Sequence, residues 1–356
     1  RSASGLDYYL RAPATGATKR AIVILHGSNM NSRDYVETIV GAWPALADEY
    51  IVIGIDGEQE GQGSTPARPV RNYTYVNYTG MSTYKGYPGT DRESPALVSE
   101  AIAELRERLG LERVFVGGHS QGAFLTYSLY MNCPGLVDGA FPVSGGLIMQ
   151  CEPGAYADAE LVARQKRAPL AIVHATNDPV VAFSMSAHAH EAFEDAGFPA
   201  LKLITDDAAA HMFARLPVER AVRWLEVMSS RDGAALIESA ERAAKEELWR
   251  DALALAARAK EFDAGPNAAR ISLVERAGAE AQRAESDRIG ARTTQPGDLW
   301  VWEFLDMRER FGPLAPETPL HAKFAALRTE QDPRAEELFT QANAKFQSGE
   351  RDAGYE

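Results

Sequence analysis

The feature that most constrains the fold is a series of six short, almost entirely apolar segments within the first 230 residues. They are Ala21–Leu25, Ile51–Ile55, Arg113–Val116, Gly139–Val143, Leu170–Val173 and Leu201–Thr205. Such runs predict β-strands that are covered by other elements on both faces. Segments with helical spacing lie between or after them: Pro95–Leu109, Gly122–Asn132, His188–Ala196 and Glu219–Met228. Strands that alternate with helices predict a doubly wound, mostly parallel α/β sheet.

The region after residue 230 has a different composition, rich in Ala, Glu and Arg, with only 8 of the 29 glycines. Its apolar spacing predicts helices over Ala235–Phe262, Ala268–Ile289 and Pro333–Phe346, with a break at Gly265-Pro266. We therefore predict a first domain over residues 1–230 and an all-helical extension over residues 231–356. The extension either packs as an appendage or forms a tetratricopeptide-like array that binds a protein partner, although no period of about 34 residues is convincing.

The charge balance limits the partners of the chain. Its 356 residues contain 37 Lys plus Arg against 50 Asp plus Glu, for a formal net charge of -13. This balance argues against nucleic acid as the main partner, because a phosphate backbone is bound through clustered basic side chains. No run of about 18 apolar residues occurs, so the sequence predicts no membrane span.

The two cysteines, Cys133 and Cys151, are too few for a disulfide scaffold or a four-cysteine zinc site. A disulfide between them would indicate folding in an oxidising compartment, and two separate core residues fit the sequence equally well. The chain starts at Arg1 rather than at Met, as a chain without its leader would. We expect a secreted or periplasmic protein, with a cytoplasmic location as the alternative.

The strongest chemical signal is the segment Gly118-His119-Ser120-Gln121-Gly122, which follows a predicted strand and opens a predicted helix. In that context G-x-S-x-G forms a sharp turn that exposes the serine hydroxyl above the sheet. Glycines are needed there because a Cβ atom would clash with neighbouring elements. The N-terminus of the following helix favours negative charge near the serine. Ser120 is therefore the predicted nucleophile.

A serine nucleophile needs a base, and in this arrangement the chain order is serine, acid, histidine. Asp178 and His211 each follow a predicted strand, in that order. Of the seven histidines, His211 is the one with both the correct order and a strand-end position. Asp178 would orient its imidazole, which would take a proton from Ser120 and return it to the leaving group. Asp206 and Asp207 are rival acids.

An oxyanion hole needs backbone N–H donors that face the developing negative charge. The predicted donors belong to Gln121, which follows the nucleophile, and to Ser28, in the loop after the first long strand. Candidate substrate contacts lie in these loops and in a Tyr-rich segment, and they are His26, Asn29, Tyr35, Tyr84 and His119. We expect no metal and no organic cofactor, because acyl transfer through a serine needs neither.

These motifs resemble those of the α/β-hydrolase superfamily over residues 1 to about 230. Within it, Leu25–Ser28, the Ser120 turn, Pro142–Gly146 and His174–Val181 look like the group of polyhydroxybutyrate depolymerases, feruloyl esterases and related secreted carboxylesterases. The resemblance implies a serine carboxylesterase acting on small-molecule or oligomeric esters, such as feruloyl or aryl esters or polyester oligomers. Two alternatives stay open: a serine peptidase acting on short peptides, and an inactive hydrolase scaffold whose helical part binds a partner.

Overall fold

The computed structural model describes residues 1–14, 18–60, 72–75, 94–147, 159–292, 299–312 and 318–326. Its strands are β1 (Tyr8–Arg11), β2 (Arg20–Leu25), β3 (Ile51–Ile55), β4 (Gln59–Glu60), β5 (Tyr73–Thr74), β6 (Arg113–His119), β7 (Gly139–Val143), β8 (Leu170–Ala175) and β9 (Leu201–Asp206). Seven of them form one sheet in the order β1-β3-β2-β6-β7-β8-β9. Only β1 runs antiparallel to its neighbour in that sheet, which confirms the predicted mostly parallel fold.

The helices connect and flank these strands. They are α1 (Ser32–Ala42), α2 (Pro44–Glu49), α3 (Ser94–Arg108), α4 (Gln121–Asn132), α5 (Ala159–Gln165), α6 (Phe183–Asp195), α7 (Arg215–Met228), α8 (Gly233–Lys245), α9 (Trp249–Gly290) and α10 (Leu299–Phe311). The helices from α8 onward follow the last strand, which confirms the predicted helical region at the C-terminal end.

The central strands are buried on both faces, and their alternate side chains enter two separate cores. In β2, Ala21, Val23 and Leu25 belong to the core that contains side chains of α3, α4 and α6. Ile22 and Ile24 belong to the core that contains side chains of α1 and α7. Burial on both faces explains why these strands are continuous apolar runs in the sequence.

Two elements near the N-terminus were not predicted. The strand β1 pairs with β3 at the edge of the sheet, where its half-buried side chains give a weak apolar pattern. The helix α1 begins after Asn31, whose side chain accepts a hydrogen bond from the N–H of Asp34. An asparagine N-cap before apolar residues at helical spacing is a start signal that the sequence does contain.

The described chain forms two compact units. The first comprises Arg1–Ala240 and Ala254–Ile271, and the second comprises Glu241–Leu253 and the described residues from Ser272 onward. The second unit has its own small core, made of Ile289, Phe304, Met307, Phe311 and Leu320. Within the described part of the chain, no helix has the length and apolar character that crossing a bilayer requires.

The predicted helix break at Gly265-Pro266 is wrong, because α9 continues through Pro266 to Gly290. A proline inside a helix costs roughly 3 kcal/mol or more, since it removes one backbone hydrogen bond and crowds the preceding turn. Buried side chains on both sides of it, such as Ala259 and Ile271, help to offset that cost. The predicted helix over Pro333–Phe346 lies outside the described residues.

The predicted helix over Ala235–Phe262 is instead interrupted between α8 and α9. Glu247 has a φ of 58°, in the left-handed region. The N–H of Leu248 donates to the carbonyl of Ala243 at 2.9 Å, and the N–H of Glu247 donates to that of Ala244 at 3.1 Å. These two bonds define a Schellman motif, which ends the helix without the glycine that usually marks it.

Candidate active site

The predicted catalytic residues follow the carboxyl ends of three strands among four adjacent ones. Ser120 follows β6, Asp178 follows β8 and His211 follows β9. Since β6, β7, β8 and β9 are parallel neighbours, these residues lie at the same edge of the sheet. Ser120 and His211 line one cavity, and His211 is hydrogen-bonded to Asp178.

The turn that carries Ser120 is strained and tightly packed. Its φ of 54° and ψ of -119° are unusual for a residue with a side chain. A Cβ atom on Gly118 would lie 2.2 Å from the carbonyl oxygen of Gly122, and one on Gly122 would lie 2.2 Å from that of Leu25. Both glycines are therefore required for the close approach of β6, β2 and α4, whose N-terminus faces Ser120.

His211 and Asp178 form a directed hydrogen-bonded pair. The Nδ1 atom of His211 lies 3.0 Å from Oδ1 and 2.8 Å from Oδ2 of the buried carboxylate. Burial alone would raise the pKa of Asp178, but hydrogen bonds from His211 and the backbone N–H groups of Val181 and Val180 lower it to about 2. The charged carboxylate favours the proton on Nδ1, so that Nε2 of His211 is the ring nitrogen with a lone pair that could accept a proton.

The rival acids have other positions. Asp206 accepts two backbone hydrogen bonds, at 2.8 and 2.9 Å, from the loop that carries His211. Asp207 is exposed. The same loop is fixed by Asn177, whose side-chain oxygen accepts from the N–H of Ala210 at 3.0 Å. These contacts give Asp206 and Asn177 a role in shaping the loop.

The buried His174 also contacts Asp178, a contact that the sequence did not predict. Nε2 of His174 lies 3.4 Å from Oδ2 of Asp178 and 3.0 Å from the carbonyl oxygen of Val181. Its Nδ1 lies 2.7 Å from the hydroxyl of Ser186. Burial lowers the pKa of His174. This neutral ring therefore helps to hold the Asp178 loop in place, and its only sequence signal is its position at the end of β8.

The two predicted oxyanion donors have different surroundings. Ser28 lines the cavity and is exposed to solvent. Gln121 is buried, and its side-chain oxygen accepts from the hydroxyl of Thr74 at 2.8 Å and from the N–H of Tyr75 at 3.1 Å. Its side-chain nitrogen donates to the carbonyl of Tyr75 at 2.9 Å. The side chain thus holds Thr74 and Tyr75 in place, so the proposed oxyanion role falls to the backbone N–H.

Among the candidate substrate contacts, His26 has a structural position that differs from the prediction. It is fully buried, and burial lowers its pKa to about 4. Nδ1 lies 2.7 Å from the carbonyl oxygen of Gly27, and the ring stacks on Tyr75 with centroids 4.7 Å apart. A ring without solvent access packs beneath the loop after β2 and does not reach a bound substrate.

The other predicted contacts fall into three groups. Tyr35 and His119 line the cavity. Asn29 is exposed beside Ser28 and has a φ of 58°. Tyr84 lies outside the described residues, and so does Cys151. Cys133 is half-buried, and its pairing with Cys151 stays a prediction.

The cavity next to Ser120 has a volume of about 420 Å³, within the range typical of sites for small molecules. Its walls come from the loop after β2, from α1, and from the start of α7 with the preceding loop. Apolar side chains dominate the lining, and they are Met30, Tyr35, Ile39, Ala42, Trp43, Met212, Phe213 and Val218. An apolar or aromatic group bound there would be desolvated beside the side chain of Ser120.

His119 separates this cavity from the core. Its ring packs against that of His211, with centroids 4.6 Å apart. Both ring nitrogens are buried, and neither has a hydrogen-bond partner among the described residues. Burial lowers the pKa of His119 to about 4, and repulsion from His211 adds to the shift. The ring is therefore neutral at neutral pH and supports His211 by packing.

The lowered pKa of His119 predicts a loss of stability in acid. A histidine whose pKa is about 4 when folded and about 6.5 when unfolded stabilises the fold fully above pH 6.5. That contribution is lost as the pH falls toward 4. In His119→Leu, the free energy of unfolding should fall less between pH 7 and pH 4.5 than in the wild type, by about 2 kcal/mol.

Urea unfolding at the two pH values measures this difference. His188, an exposed histidine on α6, provides the matched control. His188→Leu should keep the pH dependence of the wild type. If the free energy of unfolding fell equally between the two pH values in His119→Leu and in the wild type, the lowered pKa of His119 would be contradicted.

Within the described part of the chain, no group of three or more His, Cys, Asp or Glu side chains is arranged to hold a metal ion. Comparison with known proteins gives a partial family match. Residues 80–212 match the model of a family described as phospholipase/carboxylesterase. The match covers less than half of the chain, and it includes Ser120, Asp178 and His211. No curated protein sequence matches the chain significantly.

The solved structures to which the chain shows similarity include an esterase and a thioesterase. The chain is similar to esterase PE8, with 18% identity over 62% of this chain and 98% of that one, and a TM-score of 0.46. For acyl-protein thioesterase 2 from Zea mays the identity is 18%, over 63% and 99% of the two chains, with a TM-score of 0.45. For TT1662 from Thermus thermophilus it is 20%, over 63% and 93%, with a TM-score of 0.45. The sheet topology shows the α/β-hydrolase fold, followed by a C-terminal helical region, and the partial family match agrees with that fold.

Proposed function

We propose that the protein is a serine carboxylic ester hydrolase with Ser120 as nucleophile, His211 as base and Asp178 as the orienting acid. The observation that carries the proposal is the short contact between His211 Nδ1 and the buried Asp178 carboxylate, beside the cavity that Ser120 lines. A histidine so held has one free ring nitrogen and a fixed direction, as a general base requires.

The reaction would follow two acyl-transfer steps. Nε2 of His211 takes the proton of Ser120 as its oxygen attacks the ester carbonyl. The N–H groups of Ser28 and Gln121 stabilise the oxyanion, with help from the N-terminus of α4. His211 then protonates the departing alcohol, and a water molecule, activated by the same histidine, hydrolyses the acyl-enzyme.

The lining of the cavity favours an apolar acyl group. Tyr35 and Phe213 pack edge to face, with ring centroids 5.8 Å apart, and Trp43 adds a third aromatic surface. These rings suit an aliphatic chain or a flat aryl acyl group, such as a feruloyl group, by burial of apolar area. A polyester oligomer would need only its terminal acyl unit to enter.

A series of p-nitrophenyl esters tests both the reaction and the acyl site. We expect kcat/KM to rise by about fourfold for each added methylene from acetate onward, until the cavity is full, because each buried methylene contributes about 0.8 kcal/mol. Thr38, an exposed residue of α1 in the cavity wall, allows the cavity to be narrowed. Thr38→Trp should lower hydrolysis of the octanoate at least about tenfold and leave the acetate little changed.

The controls for this series are Thr38→Ser and two other substrate classes. Thr38→Ser should keep the chain-length dependence of the wild type. A methyl feruloyl ester and a hydroxybutyrate oligomer distinguish aryl from polyester substrates. Cleavage of a peptide p-nitroanilide in preference to every ester would overturn the esterase proposal in favour of a peptidase.

A further inference from the structure

A second cavity lies at the edge of the sheet opposite to Ser120. Its volume is about 410 Å³. It is lined by the end of α5, by the loops that precede β7 and β8, by the segment after α7, and by one face of α9 within the first compact unit. Because β6, β7, β8 and β9 run parallel, their amino ends lie away from the edge that carries Ser120, Asp178 and His211. Nothing in the proposed ester hydrolysis uses this cavity.

The lining of this second cavity is strongly basic in a chain whose formal net charge is -13. Four arginines line it, against two acidic residues, and these are Arg164, Arg167, Arg231, Arg258, Asp138 and Glu261. One of the two acidic side chains already interacts with residues outside the lining. Asp138 lies 3.0 Å from the guanidinium of Arg106 and accepts a hydrogen bond from the N–H of Val114 at 2.9 Å. Asp138 also lies 3.8 Å from the guanidinium of Arg231, so the two acids offset part of the positive charge and leave a formal excess of two positive charges in the lining.

Arg258 carries a buried hydrogen-bond donor that is not satisfied by the other lining residues. Its Nε is buried and has no hydrogen-bond partner among the described residues. One of its terminal nitrogens donates to the carbonyl of Arg167 at 2.6 Å, and its guanidinium lies over the ring of Phe262 at 5.6 Å. Burial lowers the pKa of Arg258, and the charge of Arg231 lowers it further, although Glu261 opposes both effects. A bound anion would relieve this repulsion.

We propose that the second cavity binds a small polyvalent oxyanion, an organic phosphate or a polycarboxylate, through Arg164, Arg167, Arg231 and Arg258. Guanidinium groups bind phosphate and carboxylate oxygens with paired hydrogen bonds, which are stronger than neutral ones. The cavity is large enough for a small ligand with more than one charged group. The site lies away from the catalytic residues, so binding there is a second property of the protein, independent of the proposed hydrolysis.

Isothermal titration calorimetry on the full chain tests this binding directly, without an activity assay. The probes are inorganic pyrophosphate and citrate, at pH 7 and a fixed, low ionic strength. We expect submillimolar binding of at least one probe with a stoichiometry of one, weakening as salt is added. Tighter binding of pyrophosphate would identify a phosphate site, and tighter binding of citrate a polycarboxylate site. No binding of either probe to the wild type would overturn the proposal.

Charge-removing variants locate the site. Arg164→Gln and Arg231→Gln replace exposed side chains, so the fold should persist, and each should weaken binding about tenfold. Arg220→Gln removes the same charge from an exposed position on α7 outside the cavity and should bind like the wild type. Equal weakening in all three variants would mean general charge attraction and would overturn the proposed site. Ester hydrolysis should be unchanged in each variant, which separates this proposal from the proposed function.

Discussion

Replacing Ser120 by alanine is expected to lower kcat/KM for a p-nitrophenyl ester by about 10⁴-fold or more. In the proposed mechanism, this change removes the atom that forms the acyl-enzyme, and water in the vacated space would have neither its position nor its activation by His211. Oxyanion donors and the cavity remain, so a small activity above the uncatalysed rate should persist. KM should change little, because the apolar side chains that line the cavity are the same in the variant.

The control for this variant is Ser239→Ala, which removes a serine hydroxyl from α8 and should keep full activity. Labelling with a fluorophosphonate probe gives a second readout. The wild type should be labelled at Ser120, and Ser120→Ala should not be labelled. Wild-type protein that is folded, unlabelled and inactive on every ester would instead support the alternative of an inactive scaffold.

The sheet, and the position of Ser120, Asp178 and His211 at one edge of it, could be predicted because their signals are local. The strands are continuous apolar runs, and their ends lie at one edge by the geometry of a parallel sheet. The turn at Ser120 requires glycine on both sides, and the clashes that Cβ atoms would make at Gly118 and Gly122 explain why. The order of Ser120, Asp178 and His211 then follows from the order of the strands.

The contacts between distant segments could not be predicted. His26 and His119 both lie at strand ends, yet only His119 lines the cavity. The difference depends on Tyr75, which stacks on His26 from a segment about fifty residues away, and no local pattern encodes it. The helix break was misplaced for a similar reason, because packing overrides the local preference of Pro266.

The second cavity is another case in which contacts between distant segments could not be predicted. Arg164, Arg231 and Arg258 are separated by 67 and 27 residues, and each belongs to a segment of mixed charge. They meet only because the end of α5, the segment after α7 and the first part of α9 converge at one edge of the sheet. A chain with a net charge of -13 gives no hint of such a cluster.

Asp178 is the proposed catalytic acid, and Asp207→Asn is the matched control for the variant Asp178→Asn. Asp207 is an exposed carboxylate on the loop that carries His211, and it is one of the rivals for the catalytic role. Its replacement by asparagine should leave kcat within about twofold of the wild type, as expected for an exposed residue. If Asp207→Asn instead abolished activity and Asp178→Asn did not, the acid would be Asp207.

Asp178→Asn should lower kcat about 10³- to 10⁴-fold with little change in KM. Oδ1 of Asp178 accepts the N–H groups of Val180 and Val181 at 2.8 and 2.9 Å, so the asparagine oxygen should take the same place. The amide nitrogen would then occupy the position of Oδ2, 2.8 Å from Nδ1 of His211. Because that nitrogen is a donor, it stabilises the imidazole with its proton on Nε2, which cannot accept the proton of Ser120. Steady-state kinetics on a p-nitrophenyl ester, with circular dichroism to establish folding, measures the effect. A folded Asp178→Asn variant with wild-type kcat would show that this carboxylate does not orient the base.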